Sequence, residues 1–213
     1  MEIVKNKRKL NKYLKKANNI FIMAHKDLDL DALGSSIGMY TILTKKKKKC
    51  FLIIDDKEHE LGVSKILKEL EGCLNIIKSS DLDSKLDKNE NKNLLLILDT
   101  NKKDLVQSEI ALKKITKKVV IDHHSPGKTT IKDAFLIIDE EVSSTCEMIT
   151  NLIETYDIEL ESYYATILLS GIVLDTNNFT LKTTADTYYS AYFLASLGAS
   201  AKKVQYLLKQ DLE

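Results

Sequence analysis

Hydrophobic positions along the chain form short apolar runs that alternate with amphipathic segments. The apolar runs are bounded by polar residues, which is typical of buried strands. The segments between them carry apolar residues at helical spacing. This alternation predicts an α/β fold, with a mostly parallel central sheet and helices on both faces. We predict strands over 19–24, 50–55, 74–78, 93–99, 118–124 and 135–139, and helices over 32–45, 63–70 and 109–115.

From Ser143 onward the pattern is helical, apart from short polar connections. Ser143 or Ser144 can cap a helix whose first turn contains Glu147, a spacing typical of a capping box. No repeat or flexible linker interrupts this part of the sequence. We therefore predict that the sheet is followed by C-terminal helices over 143–156, 162–175, 184–198 and 199–210.

Composition limits the classes of function without selecting one. The 213 residues carry a formal net charge of +1. The overall charge therefore does not favour duplex DNA as a partner, and nucleic-acid affinity would need a local site. The three cysteines lack the spacing of a zinc site or a disulfide framework. No apolar run reaches the roughly 20 residues of a membrane span, and the basic amino terminus lacks a signal-peptide core. We therefore expect a cytoplasmic protein without a membrane segment.

Histidine and aspartate residues follow three of the predicted strands. His25 comes directly after the first strand, and Asp99 ends the fourth. The fifth strand ends with Asp122, His123 and His124. Parallel strands place their carboxyl ends at one edge of a sheet, where ligands bind, so these residues are expected to converge. A single Asp at a strand end is most often a cap or turn residue. However, three of the four histidines stand at these ends, which favours a common site.

Asp29 and Asp31 add two carboxylates just before the helix over 32–45. With His25 they form an H-x3-D-x-D pattern, in which alternate residues of a loop can face the same side. Like charges this close are unfavourable unless a cation lies among them. Carboxylate and imidazole ligands without thiolates suit Mn²⁺ or Mg²⁺, with Fe and Co as alternatives. The available groups suffice for a pair of ions that share a carboxylate.

Four segments resemble, in order, the motifs of the DHH phosphoesterase family, which is named after its Asp-His-His tripeptide. Together they span most of the chain, and Asp27 falls at a non-ligand position of the first motif. The segments are HKDLDLDALGS at 25–35, LILDTN at 96–101, VVIDHH at 119–124 and GIVLDTNNF at 171–179.

The resemblance implies a phosphoesterase with two Mn²⁺ ions, which Asp99 would bridge. His124 would contact the scissile phosphate, and Asp122 would hold a histidine in the required tautomer. Asp175 enters the site by resemblance alone, because it ends a predicted helix and not a strand. By motif position, His25 and Asp29 would bind the first ion, and Asp31, His123 and Asp175 the second.

The resemblance extends to one subgroup of the family. SSTCEMITNLIE at 143–154 is similar to the SST-x-E helix of cyclic-di-AMP phosphodiesterases and of nanoRNase/pAp-phosphatase enzymes. The segment 174–199, from LDTNNF to LGA, resembles the cyclic-di-AMP branch more. The chain departs from that branch in having Ser125 and Pro126 after the tripeptide, where Arg residues are frequent, and in lacking the glycine-rich motif of the second domain, DHHA1.

These features lead to one preferred function and two alternatives. We expect hydrolysis of cyclic-di-AMP to pApA. The alternatives are a nanoRNase/pAp phosphatase acting on short oligoribonucleotides, and a truncated module that binds metal or nucleotide without catalysis. We assign residues 1–180 to the DHH domain and 181–213 to C-terminal helices or a linker toward an absent DHHA1 domain. The oligomeric state stays open, with a homodimer as one alternative.

Overall fold

The described residues build one sheet of six strands, and every pairing between neighbouring strands is parallel. The structure is a computed structural model that describes residues 1–55 and 58–209. The strand order is β3-β2-β1-β4-β5-β6. The strands β2 and β3 are thus added on one side of β1, and β4, β5 and β6 on the other. The strands are β1 (Asn19–Met23), β2 (Lys49–Ile53), β3 (Ile76–Ile77), β4 (Asn93–Leu98), β5 (Lys118–Asp122) and β6 (Phe135–Ile138).

Helices lie between successive strands, except between β5 and β6, and then continue beyond the sheet. The first part of the chain contains α1 (Glu2–Lys5), α2 (Lys7–Lys16), α3 (Leu30–Lys45), α4 (Leu61–Glu69), α5 (Leu82–Lys85) and α6 (Glu109–Lys114). The last part contains α7 (Thr145–Thr155), α8 (Ser162–Asp175), α9 (Ala185–Ser196) and α10 (Ala201–Leu208). Among these described helices, none has the length and apolar character needed to cross a bilayer.

Both faces of the sheet are covered, as the apolar runs predict. Side chains alternate along β1, so that Ile20 and Ile22 enter the larger core with α3, α7 and α8. Phe21 and Met23 enter a smaller core on the opposite face, under α5 and α6. The predicted α/β class, parallel sheet, helices on both faces and C-terminal helices are therefore confirmed.

Close contact between α3 and α8 brings two distant parts of the chain together. A Cβ atom on Gly171 would lie 2.5 Å from Cys146 Sγ and 2.9 Å from Asp31 Cα. A Cβ atom on Gly34 would lie 2.8 Å from the same sulfur. Glycine is therefore required for α3, α7 and α8 to approach this closely, and this approach places the end of α8 beside the start of α3.

Several element boundaries differ from the predicted ones. The predicted strand over 74–78 is reduced to Ile76–Ile77, whose two residues lie at the sheet edge. The basic amino-terminal segment, for which no element is predicted, forms α1 and α2 because Leu10 and Leu14 recur at helical spacing and are buried. Helices α9 and α10 lie within the segment 181–213, whose role as a linker toward a further domain stays a prediction.

Candidate metal centre

The candidate site lies where the strand order changes direction. Met23 of β1 is in register with Ile97 of β4, so His25 and Asp99 each follow at the same level, two residues later. Leu98 is in turn paired with Ile121, which places the Asp-His-His tripeptide beside them. An open parallel sheet has its ligand crevice at this point, between strands whose connections run in opposite directions.

His25, Asp29 and Asp99 form the first ligand group. One nitrogen or oxygen atom from each of them lies within 4.8 Å of the others. His25 Nε2 is 3.4 Å from Asp99 Oδ2 and 3.8 Å from Asp29 Oδ2. The other ring nitrogen, Nδ1, is 2.7 Å from the Lys26 carbonyl oxygen, to which it must donate a proton. This hydrogen bond leaves Nε2 as the ring nitrogen that faces the carboxylates and that could bind a metal ion once it is deprotonated.

The start of helix α3 holds Asp29 in place. Asp29 is the N-cap, and its Oδ1 accepts a hydrogen bond of 2.8 Å from the backbone N–H of Ala32. Its second oxygen, Oδ2, is the one that faces His25. The same carboxylate therefore caps the start of a helix and contributes to the site, so the cap and ligand interpretations of this residue are compatible.

Asp31, His123 and Asp175 form the second ligand group, with ligand atoms again within 4.8 Å of one another. His123 Nε2 lies 3.1 Å from Asp175 Oδ2 and 3.9 Å from Asp31 Oδ2. Asp175 is the last residue of α8, where a carboxylate is unfavourable because the helix dipole is negative there. A nearby cation would remove this conflict.

Asp99 connects the two groups. Its Oδ2 faces His25, and its Oδ1 lies 3.5 Å from His123 Nε2. The residue is buried and adopts a left-handed backbone conformation with φ of 59°, which Asp tolerates better than most residues. Thr145 Oγ1 donates a hydrogen bond of 2.9 Å to Asp99 Oδ1. The two oxygens of one carboxylate thus face two different histidines.

The amino end of α7 fixes Asp31. The backbone N–H groups of Thr145 and Cys146 donate hydrogen bonds of 2.8 and 2.7 Å to its two carboxylate oxygens. These free N–H groups of the first helical turn favour a negative charge. Sequence analysis predicts this helix start but not its partner, because α7 and Asp31 are more than a hundred residues apart.

Burial and the neighbouring charges of the cluster shift the pKa values of several groups. Burial, together with the neighbouring Asp99 and Asp175, raises the pKa of Asp31 well above its usual range. Burial also raises the pKa of Asp99 to about 7, although His25 opposes this shift. For His25, burial favours the neutral ring, but Asp99 and Asp29 outweigh it and raise the pKa to about 9. Metal-free, the cluster therefore retains protons, which a cation would displace.

The donor atoms fit a pair of divalent cations. Both ring nitrogens of His123 are buried without a hydrogen-bond partner among the described residues, although Nε2 is surrounded by three carboxylates. A buried imidazole of this kind needs a partner for its lone pair. The ligand atoms are oxygen and nitrogen, which suit Mn²⁺, Mg²⁺ or Fe²⁺. The residues are therefore able to hold metal.

Asp122 and His124 lie beside the two ligand groups. His124 Nδ1 donates to Asp122 Oδ1 over 2.8 Å, and Asp122 raises the pKa of this histidine. A third set, Asp99, His123 and His124, also has close ligand atoms. However, Nδ1 of His124 already donates a hydrogen bond to Asp122, so Nε2 is the ring nitrogen that can contact other partners.

Sequence analysis missed Asn101, which holds this pair in place. Its Nδ2 donates hydrogen bonds to Asp122 Oδ2 (2.6 Å) and to the His124 carbonyl oxygen (2.9 Å). Its Oδ1 accepts one from Thr130 Oγ1 (3.0 Å). Its position two residues after Asp99 in the LDTN motif was the available signal.

All eight residues predicted for the site are brought together at one edge of the sheet.

Comparison with known proteins agrees with this arrangement. A family model described as "DHH family, N-terminal domain" matches residues 19–172. The chain belongs to the DHH family. This match confirms the resemblance that the four motifs indicate, and it covers three of them completely.

Several relatives carry names that describe phosphoesterases. The chain is 35% identical to the cyclic-di-AMP phosphodiesterase PdeA of Listeria monocytogenes, over 95% of this chain and 32% of that protein. It is 32% identical to the cyclic-di-AMP phosphodiesterase GdpP of Bacillus subtilis, over 96% of this chain and 32% of the relative. The chain therefore spans about a third of the length of these curated relatives.

Two further comparisons are more distant. The bifunctional oligoribonuclease and PAP phosphatase NrnA of Thermus thermophilus is 27% identical over 75% of this chain and 44% of that protein. A crystal structure of an exopolyphosphatase-related protein from Bacteroides fragilis superposes with a TM-score of 0.76 at 24% identity, covering 94% of this chain and 59% of that one. This last similarity supports the fold alone.

Proposed function

We propose that this chain is a manganese-dependent phosphodiesterase that hydrolyses cyclic-di-AMP to pApA with two ions bound. The observation that carries the proposal is the pair of ligand groups that share Asp99, whose two oxygens face His25 and His123 separately. In this assignment the first ion is held by His25, Asp29 and Asp99, and the second by Asp31, Asp99, His123 and Asp175.

The ligand set is compatible with Mn²⁺ as the working ion. Carboxylate oxygens dominate it, two imidazoles accompany them, and thiolates are not among the grouped atoms. When bound, the ions would supply Lewis-acid stabilisation of the phosphoryl oxygens and would make the attacking water more acidic.

His124 is the proposed proton donor of the reaction. Its side chain is half exposed, which leaves it accessible to a substrate phosphate. Asp122 holds Nδ1 and raises the pKa of the ring, which favours the imidazolium form. His124 Nε2 would therefore donate a hydrogen bond to a phosphoryl oxygen or a proton to the leaving oxygen. Asn101 acts as a positioning residue through Asp122.

The substrate assignment is supported by sequence similarity. Two relatives named cyclic-di-AMP phosphodiesterases match almost the whole chain at 35% and 32% identity. The cyclic dinucleotide would lose one of its two phosphodiester bonds and become linear. The similarity to NrnA of Thermus thermophilus supports a second candidate, hydrolysis of short oligoribonucleotides or of pAp.

The decisive experiment compares three substrates on this chain. Cyclic-di-AMP, pApA and pAp are incubated with the protein in manganese buffer and in EDTA, and products are separated by chromatography. Manganese-dependent conversion of cyclic-di-AMP to pApA supports the proposal. Faster release of AMP from pApA, or of phosphate from pAp, supports the oligoribonuclease alternative.

A metal-binding control separates an inactive enzyme from a wrong assignment. Manganese stoichiometry is measured on the same sample by isothermal titration calorimetry. Two bound ions without turnover of any substrate would favour the non-catalytic module, in which contacts to the substrate are lacking. Failure to bind manganese would overturn the proposed site.

A further inference from the structure

A buried glutamine side chain joins the ends of β1 and β2 behind the candidate metal centre. The pairing of these two strands ends at Ile22 and Leu52, and the same register would place His25 opposite Asp55. The carboxamide of Gln107 lies between these two residues. Its Nε2 donates a hydrogen bond of 3.0 Å to the His25 carbonyl oxygen, and its Oε1 accepts one of 3.0 Å from the Asp55 backbone N–H. The side chain thus takes the place of a peptide group between the strands.

The segment that carries this glutamine also holds the main chain around His25. Residues 105–107 lie antiparallel beside His25 and form an isolated β-bridge with it. The backbone N–H of Lys26 donates a hydrogen bond of 2.7 Å to the carbonyl oxygen of Leu105. The peptide group between His25 and Lys26 is therefore bound at both of its polar atoms, at the N–H by the main chain and at the carbonyl by the Gln107 side chain.

This peptide group controls the direction of the His25 ring. The ring is attached on one side of the peptide, and its Nδ1 donates a hydrogen bond of 2.7 Å to the Lys26 carbonyl oxygen on the other side. Nε2 then faces the two carboxylates of the first ligand group. Partners of this kind fix the orientation of a metal-binding histidine. A change in the tilt of the peptide would move Nε2 away from the position that a shared ion requires.

The surroundings of Gln107 keep its carboxamide in one place. The side chain is buried, and the Asp55 carboxylate accepts hydrogen bonds from the backbone N–H of Ser79, over 2.7 Å, and from Ser79 Oγ. Ser79 Oγ is also hydrogen-bonded to Ser108 Oγ, and Ser108 is the N-cap of α6. The residue that follows Gln107 and the residue that donates to it are thus tied to each other through Ser79.

We propose that Gln107 is a positioning residue for the first metal ion and acts through His25. The proposal rests on the two-ion centre of the proposed function, and it adds a residue that lies outside the metal ligands and the four family motifs. Asn101 and Gln107 belong to the same connection between β4 and α6. One carboxamide supports the His124 side of the site and the other supports the His25 side, so this single connection positions both sides.

The test measures manganese affinity separately for the two ligand groups. Gln107→Met keeps the length of the side chain and removes both hydrogen bonds. It is combined with His123→Gln, which leaves the first group to bind an ion, and with His25→Gln, which leaves the second. Electron paramagnetic resonance of free Mn²⁺ gives each affinity. We expect the first group to bind its ion about tenfold or more weakly with Gln107→Met, and the second group to stay within about twofold.

Asn93 provides a matched control at the other end of β4. It is buried, its Nδ2 donates to the Asp87 carbonyl oxygen over 3.0 Å, and its Oδ1 accepts from the Asp87 backbone N–H over 2.8 Å. Asn93→Leu removes the same pair of bonds to the main chain, far from the metal centre. Both substitutions should lower Tm, because each leaves backbone groups without partners, but only Gln107→Met should weaken manganese binding. Equal losses of affinity in the two variants, or in both histidine backgrounds, would overturn the proposal.

A shorter amide keeps the test informative if Gln107→Met does not fold. Gln107→Asn retains the carboxamide but lacks one methylene group, so it cannot reach both strands. It should weaken binding of the first ion about threefold or more and leave the second within about twofold. Unchanged affinity of the first ion in this variant would contradict a positioning role.

Nitrogen NMR of the histidine rings gives a readout that needs neither metal nor hydrolysis. In the metal-free protein, the ring ¹⁵N shifts of His25 should change in the folded Gln107 variants. Those of His124, whose Nδ1 donates to Asp122, should not change. Unchanged His25 shifts would overturn the assignment. A chain that binds two ions but hydrolyses none of the substrates would refute the proposed activity alone and would leave this result standing.

Discussion

The two ligand groups of the candidate metal centre differ in how the fold assembles them. His25 and Asp29 of the first group lie four residues apart on one connection between β1 and α3. The second group takes Asp31 from α3, His123 from the end of β5 and Asp175 from the end of α8. The first group is thus largely local in sequence, whereas the second depends on the packing of three elements.

The groups also differ in exposure to water. The side chains of His25 and Asp29 are 19% and 30% exposed, whereas those of Asp31 and His123 are 0% and 5% exposed, and only Asp175 of the second group reaches 18%. Two backbone N–H groups of α7 further fix Asp31. A buried, rigid set of ligands loses less to competing water, so the second group is expected to bind its ion more tightly. The first group should exchange its ion more readily.

The largest expected effect comes from removing the connection between the groups. Asp99→Asn should lower manganese-dependent hydrolysis at least about a thousandfold, because one change weakens both ion sites. Asp27→Asn is the matched control, since Asp27 has the same left-handed conformation with φ of 59° and Asn tolerates it equally. Rates and manganese stoichiometry are measured for both. Full occupancy of two ions in Asp99→Asn would contradict the bridging assignment.

A second experiment compares the groups directly. His25→Gln should leave a protein that binds one Mn²⁺ ion tightly in the second group. His123→Gln should leave a protein that binds one ion in the first group, with an affinity about tenfold or more lower than that of the His25→Gln variant. The difference follows from the deeper burial of the second group. Electron paramagnetic resonance of free Mn²⁺ during titration measures both. Equal affinities of the two single-ion proteins would show that burial does not rank the sites.

The packing that builds the second group can be disturbed without changing a ligand. Gly171→Ala places a methyl group within 3 Å of Cys146 Sγ and Asp31 Cα, and should cost about 1–3 kcal/mol of stability. It should also weaken manganese binding in the second group more than in the first. Gly127→Ala is the control, because its Cβ would meet nothing within 4 Å. Urea unfolding with and without Mn²⁺ gives both quantities, and equal losses in the two variants would refute the packing argument.

The smallest expected effect is the pH dependence of the metal-free protein. The pKa of Asp99 is raised to about 7 and that of His25 to about 9, so the folded state retains protons that the unfolded chain releases. Stability without metal should therefore fall as pH rises from about 4 to 9. We expect a decrease in Tm of a few degrees in EDTA.

Added Mn²⁺ should raise Tm more at pH 8 than at pH 6, because the ion competes with these protons. A metal-free Tm that rises over this range would contradict the pKa shifts.

Most of the fold and much of the candidate site could be predicted from the sequence. The apolar runs that form β1, β4 and β5 are bounded by polar residues, so their ends were identifiable. In a parallel sheet these ends meet at one edge, which places His25, Asp99 and His123 together without any knowledge of packing. The family motifs added Asp175, for which hydrophobic periodicity alone offered no argument.

Other features could not be predicted, because they depend on contacts between distant segments. Nothing in the spacing of residues shows that Thr145 and Cys146 donate to Asp31, or that Asn101 holds Asp122.

The sequence by itself determined the parallel sheet and the edge at which polar residues gather, because alternation of apolar and polar positions acts within single elements. Only the tertiary structure decided which oxygen of Asp99 faces which histidine, and how closely α8 approaches α3. That approach requires Gly171, since any larger residue there would contact Asp31 and Cys146. The sequence thus determines which side chains lie near this edge of the sheet. The distances between their atoms depend on how closely the helices pack, and the hydrophobic pattern does not encode those distances.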